Sequence, residues 1–169
     1  IIYRSRFTGE GPALYVSPHI ASLGYSAEQW TSAEGPNWET AVHADDAARV
    51  RAQLKDMATQ QAEMTLEYRL RDAWGRWRYF IDHARLVESD DDSGPQMQGV
   101  MVEITFLKMT EQALRQAEAD QRSLFEALAD GVLVLDAKHQ VIDANASAAT
   151  MLDFPRNWLL GKQLPELLP

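Results

Sequence analysis

The run "EMTLEYRLRDAWGRWRYFIDHARLVE", Glu63 to Glu88, constrains the fold more than any other part of the chain. Met64, Leu66, Tyr68 and Leu70 alternate with Thr65, Glu67, Arg69 and Arg71. A period of two is the mark of a strand with one buried and one wet face. "DAWG" then reads as a turn, with Asp72 opening it and Gly75 in a left-handed position. "RWRYFIDHARLVE" is a second strand, and "QMQGVMVEIT", after the polar "SDDDSGP", is a third. Sequential strands joined by short polar links pair antiparallel, and their apolar face must be covered by other elements. The early pair "IIYRSRF" and "ALYVS", separated by "TGEGP", reads as strand, turn, strand and is expected to join the sheet.

Between the early and late strands the period becomes helical. "SPHIASLGYSAEQW" suits short helices, with Ser26 as an N-cap. In "HADDAARVRAQLKDMATQQ", Val50, Leu54, Met57 and Ala58 fall on one helix face, and Asp45 or Asp46 can cap its start. The stretch "GVMVEITFLKMTEQAL" is unusual, because it passes from strand to helix with no Gly, Pro, Asn or Ser at the change. Thr105 is expected to bond the local backbone there as a cap. Leu107, Thr110, Leu114, Ala117, Gln121, Leu124 and Leu128 then keep an alternating three–four step. That rhythm fits a coiled-coil seam, or equally a helix lying on its own sheet.

"DGVLVLDAKHQVIDANASAATMLDF" starts the pattern again: strand, turn, strand, small-residue helix. Ser17 to Trp30 and Asn145 to Trp158 have the same separation, which suggests tandem copies of one unit. The chain begins at Ile1 and stops at "PELLP", as an excised part of a longer protein would.

With 46% hydrophobic and 24% charged residues, the 169-residue chain has the balance of a globular protein. A net charge of -9 argues against nucleic acid as a partner. The absence of cysteine removes disulfides, thiolate metal sites, Cys nucleophiles and a cysteinyl–flavin adduct, and fits a cytoplasmic location. No apolar run reaches the roughly 20 residues that span a bilayer, so no membrane contact is expected in this segment.

"YVSPHIASLGYS", "VHADDAARVRAQL", "LEYRLRDAWGRWRYFIDHARLV" and "GVMVEITFLK", in this order and spacing, resemble the PAS family with its C-terminal PAC motif. "DGVLVLDAKHQVIDANASAATMLDF" and "LLGKQLPELL" resemble the opening half of a second PAS domain. Ala44 stands where the family has Pro, Trp74 where a polar residue precedes the hairpin Gly, and Asp153 where Gly is common. Glu103 replaces Asp, and Phe106 replaces Glu.

The resemblance implies an α+β fold, a five-stranded antiparallel sheet with short helices on one face, followed by a connecting helix and a partial second PAS domain. The expected divisions are a sensor domain over 1–106, a linker helix over 107–128 and a second PAS portion over 129–169. It implies a ligand pocket against the long strand, with Tyr15, Trp77, Tyr79, His83 and Arg85 as candidates. Glu103, Ile104 and Thr105 would form the signal relay, and Leu107, Leu114, Leu124 and Leu128 the dimer seam. The expected partners are a second copy of the chain, an output domain further along it and a small-molecule ligand. The output expected from the family is a diguanylate cyclase or phosphodiesterase, with a histidine kinase as the alternative. No cofactor is the leading expectation, with non-covalent flavin possible; the alternatives to a relay module are a flavin- or small-metabolite-binding receptor and an empty-core dimerisation platform of a histidine kinase. The family's axial haem ligand is a His on the long helix, and "DDAARVRAQLKDMATQQ" has none.

Other candidates weaken on inspection. His43, Asp45 and Asp46 read better as a helix cap than as metal ligands. Trp74 can anchor a partner or fold over the strand stems. Asp90 to Asp92 lack the spaced oxygens and closing Glu of a calcium loop. Ser17 and His19 are too close in sequence to build a catalytic triad, and no phosphate-cradling loop is present. The segment reads as non-catalytic.

Overall fold

The structure, a computed structural model, describes residues 1–6, 11–60, 63–89 and 94–167, with side chains described for all of these except 58–60. The acidic run at Asp90 and the side chain of Ala58 therefore lie outside the described residues. The chain divides into two compact units, 1–109 and 110–169.

In the first unit, strands β1 (Ile2–Arg6) and β2 (Tyr15–Val16) precede a 3-10 helix over Pro18–Leu23. Helices α1 (Ala27–Thr31), α2 (Trp38–Ala41) and α3 (Ala44–Gln60) follow, and then strands β3 (Met64–Arg71), β4 (Trp77–Val87) and β5 (Gln96–Glu103). Among the described residues the five strands form one antiparallel sheet, in the order β2-β1-β5-β4-β3. Its inner face packs on the helices around Ile20, Leu23, Val50, Leu70 and Phe80, all fully buried.

Local chemistry explains the boundaries. Ser26 and Gln29 form a reciprocal capping box on α1, and Asn37 and Thr40 do the same on α2. The expected Asp cap on α3 is replaced by another arrangement. His43 Nδ1 accepts from the Asp45 N–H at 3.2 Å, while the Asp46 carboxylate reaches across to β3. There it accepts from the Arg69 backbone N–H at 3.0 Å and from Arg69 Nε at 2.8 Å. That guanidinium holds Asp46 below the usual carboxylate range.

The β3–β4 turn forms as its sequence suggests. Asp72 accepts from the backbone N–H groups of Trp74 and Arg76, and Gly75 is left-handed. Burial pushes Asp72 up, but the Arg76 backbone and guanidinium outweigh it and hold the carboxyl low. Trp74, though 62% exposed, folds over this turn. A Cβ at Gly24 would lie 2.8 Å from Trp74 Cη2, and the Arg76 guanidinium sits 4.9 Å from the indole centroid.

Helix α4 (Thr105–Ala127) leads into the second unit, which contains β6 (Leu133–Leu135), β7 (Val141–Ala144), α5 (Ala146–Leu152), α6 (Arg156–Leu159) and α7 (Leu164–Leu167). The repeat seen in the sequence is visible at the level of single bonds. Ser17 N–H donates to Ile2 O at 2.8 Å, and Ile2 N–H donates back to Ser17 Oγ at 3.0 Å. Asn145 N–H donates to Val132 O at 3.1 Å, and Val132 N–H to Asn145 Oδ1 at 2.8 Å. Each short helix then ends on a left-handed residue, Gly24 in one copy and Asp153 in the other. Within the second unit Asp143 is held by Arg122 and Arg156. Among the described residues no helix is long and apolar enough to cross a membrane.

Candidate ligand site and output junction

The β3–β4 register decides which side chains reach the core. Arg71 pairs with Trp77, so Tyr68 faces Phe80 and Leu66 faces Asp82 across the ladder. Directly paired residues share a sheet face. Because Leu66 and Tyr68 point inward, Phe80, Asp82 and Ala84 do too, and all are buried.

Asp82 is therefore a carboxylate at the centre of the inner face. Tyr3 Oη donates to Asp82 Oδ2 at 2.9 Å, and Tyr68 Oη donates to the same oxygen at 2.7 Å. Tyr3 comes from β1 and must cross β5 to reach β4. Gly99 makes the crossing possible, since a Cβ there would lie 2.5 Å from Tyr3 Oη. Burial pushes the Asp82 carboxyl up, and the two tyrosine hydrogen bonds oppose that rise. Burial also raises both phenols, and the nearby Asp82 charge adds to it. A hydrogen bond from the Trp38 indole partly offsets the rise at Tyr68.

Beside this cluster lies a cavity of about 50 Å³, lined by apolar side chains that include Val16, Val50, Leu54, Met97 and Met101. Ser5, Trp30 and Asp82 also line it, together with Tyr3, Trp38 and Tyr68. Ser5 Oγ, Trp30 Nε1 and Asp82 Oδ1 are the buried side-chain polar atoms without a hydrogen-bond partner among the described residues. Such atoms are rare in folded proteins, and here all three belong to the walls of one cavity.

The pocket residues expected from the sequence are placed elsewhere. Trp77, Tyr79, His83 and Arg85 have the opposite parity on β4 to Phe80 and Asp82, and Tyr15 is exposed on β2. None of the five lines the core cavity. His83 and Arg85 border an open depression on the outer face, and Tyr15 borders another. The physical reason is the period of a strand, in which a shift of one residue exchanges the faces. His83 bonds Thr65 Oγ1 at 2.8 Å, and the Trp77 ring meets the His43 ring edge-on at 4.5 Å.

The cavity also bears on cofactors. Pockets for drug-sized ligands run to roughly 300–1,000 Å³, so a flavin does not fit this core without displacing its walls. No His lines the cavity to ligate haem. Among the described residues no group of three or more His, Asp or Glu is gathered to hold a metal ion.

Near the start of β4, the strand-to-helix change is closed by two bonds to the Tyr79 backbone. Ile104 N–H donates to Tyr79 O at 2.8 Å, and Tyr79 N–H donates to Thr105 Oγ1 at 3.0 Å. Thr105 thus bonds across to β4, where a local cap was expected. Ile104 O accepts the first helical bond, from Lys108 N–H at 3.0 Å. Glu103 anchors the same point: Arg78 Nε donates to Oε1 at 2.7 Å and Arg78 Nη2 to Oε2 at 2.9 Å. This pairing holds the Glu103 carboxyl below its usual range. The chain needs no turn residue here, because β4 supplies the partners that a turn would otherwise provide.

Comparison with known proteins places these features in a family. A family model described as PAS fold matches residues 13–101, and another PAS fold model matches 119–169. The chain belongs to the PAS family. Among solved PAS relatives, the sensory box histidine kinase/response regulator of Burkholderia thailandensis is 28% identical, with a TM-score of 0.54 over 72% of this chain and 89% of that one. The N-terminal domain of a diguanylate cyclase with PAS/PAC sensor from Marinobacter aquaeolei is 20% identical, with a TM-score of 0.52 over 63% of this chain and 96% of that one. That second likeness shows the fold alone. The uncharacterized protein y4lL of Sinorhizobium fredii is 28% identical over 126 residues, 74% of this chain. The chain spans 14% of that relative's length. As a PAS protein with a 28% identical neighbour in a sensory box histidine kinase/response regulator, the chain is a sensory signalling module.

Proposed function

We propose that the first PAS unit senses the state of its core cavity and reports it through α4 to an output domain further along the chain, as one half of a homodimer. The observation that carries this reading is α4 itself. It runs for 23 residues, begins at a junction clasped to β4, and has no buried residue. At about 1.5 Å per residue it is roughly 35 Å long. Leu107, Leu114, Leu124 and Leu128 are all exposed. An apolar stripe of this length on one chain is stabilised by burial against a second copy. A signal then requires that ligand or partner favour one arrangement of the helix pair over another.

The relay would run from Asp82 along β4 to the Tyr79 backbone, and from there through Glu103, Ile104 and Thr105. The chain itself is read as non-catalytic, and its place as the cytoplasm. A diguanylate cyclase or phosphodiesterase is the output implied by the sequence resemblance. A histidine kinase is the second reading, favoured by the 28% identity to the Burkholderia protein.

Leu114→Asp tests the dimer, because it would bring a charge into the seam. Sedimentation of the 169-residue chain should show a dimer for the natural sequence and a monomer for the variant, with unchanged near-ultraviolet circular dichroism. An identical dimer in both would refute the seam.

A further inference from the structure

We propose that the core cavity takes a small neutral hydroxyl compound, an alcohol or diol of roughly three to five non-hydrogen atoms; this rests on the reading above, in which that cavity is the sensing site. Size sets the first limit. A single water needs roughly 10–15 Å³ of such space, and the cavity offers about 50 Å³.

The unpartnered atoms set the chemistry. Trp30 Nε1 can only donate, Ser5 Oγ can donate and accept, and Asp82 Oδ1 accepts when ionised and donates when protonated. Trp30 and Asp82 are each at least nine-tenths buried, so water outside the fold does not satisfy them. Both tyrosines bond Oδ2, which leaves Oδ1 as the carboxylate atom available to the cavity.

A hydroxyl group matches this set in either protonation state of Asp82. With the carboxylate ionised, the hydroxyl donates to Oδ1 and accepts from Trp30 Nε1. With it protonated, the hydroxyl accepts from one donor and gives its own hydrogen to Ser5 Oγ. An ammonium group cannot accept from Trp30, and would leave that N–H buried and unpaired beside a positive charge. A carboxylate cannot donate, and would face the like charge of ionised Asp82. The short alkyl body would meet Val50, Leu54, Met97 and Met101, and the two thioethers allow the walls to adapt.

The test is an NMR titration of the 169-residue chain with 1,2-propanediol, and in parallel with propylammonium and propionate. The readouts are the Trp30 indole N–H and the methyl signals of Met97 and Met101. The proposal expects a saturable shift of all three signals with the diol and none with the two ions. Trp30→Phe keeps a ring but removes the donor, and should weaken diol binding roughly five- to tenfold, followed at the methionine methyls. Saturable binding of either ion, with the diol inert, would overturn the hydroxyl assignment and leave the cavity as a sensing site. No saturable change with any of the three would overturn the hydroxyl assignment and count against ligand sensing in this cavity as well.

Discussion

The Arg78–Glu103 fork gives the sharpest test of the output junction. The perturbation is a double-mutant cycle with Arg78→Ala, Glu103→Ala and the pair together. Two parallel charge-assisted bonds of 2.7 and 2.9 Å join side chains that are 24% and 29% exposed. Fully exposed pairs contribute about 0.2–1 kcal/mol. Forked geometry and partial shielding raise that figure, so a coupling of about 1–1.5 kcal/mol is expected. Neither single variant strands a buried charge. Arg78 keeps Asp72 at 3.7 Å, and a hydrogen bond from Thr105 also acts on Glu103. Each single loss should therefore cost about 1–2 kcal/mol, or about 4–8 °C in Tm per kcal/mol for a unit of this size. Urea unfolding followed by tryptophan fluorescence reports mainly on the first unit, because Trp30, Trp38, Trp74 and Trp77 lie in it and Trp158 alone does not. Arg78 lowers the Glu103 carboxyl, so the folded state binds that proton less readily than the unfolded one. The coupling should be complete above the unfolded value of about 4.3, and should vanish as pH falls through the lower folded value. A coupling below about 0.3 kcal/mol at neutral pH, within the usual error of additivity, would refute the clasp.

Two further predictions concern the core. Burial raises the Asp82 carboxyl, so the folded state holds that proton more tightly, and stability falls as pH rises from about 3.9 through the raised folded value. Asp82→Asn removes this loss, and urea unfolding between pH 4 and 8 should show the variant gaining on the natural chain as pH rises; equal pH slopes would contradict it. Gly99→Ala places a methyl group against the Tyr3 ring and should break the Tyr3–Asp82 bond at a cost of about 1–3 kcal/mol. An unchanged unfolding midpoint would show that Tyr3 does not cross there.

Much of the fold was legible in the sequence because period and turn chemistry are local signals. Alternation in Met64–Leu70, the Asp72–Gly75 turn and the Ser26 cap each act within a few residues. The five pocket candidates fall outside the core cavity for a reason the sequence also contains. The turn pairs Arg71 with Trp77, which puts Asp82 on the face of Leu66 and leaves His83 outside. By that register Asp82, the single carboxylate of β4, faces the core, while Trp77, Tyr79 and His83 lie on the other face. Tyr3, Ser5 and Trp30 carry no such signal. Tyr3 and Ser5 reach Asp82 and its cavity only because β1 pairs with β5, a contact nearly a hundred residues apart in the chain, while Trp30 arrives on α1. The Asp46–Arg69 pair was hidden likewise, since a helix-start Asp reads as a cap until β3 is laid beside it.

The most direct test of a dimeric relay through α4 is a cysteine scan from Leu107 to Leu128. The chain has no natural cysteine, so each substitution reports alone. Under mild oxidation, disulfide-linked dimers should peak at 107, 110, 114, 117, 121, 124 and 128, and fall to a minimum at 112 and 119 on the opposite face of the heptad. A flat profile, or maxima at 112 and 119, would contradict the account.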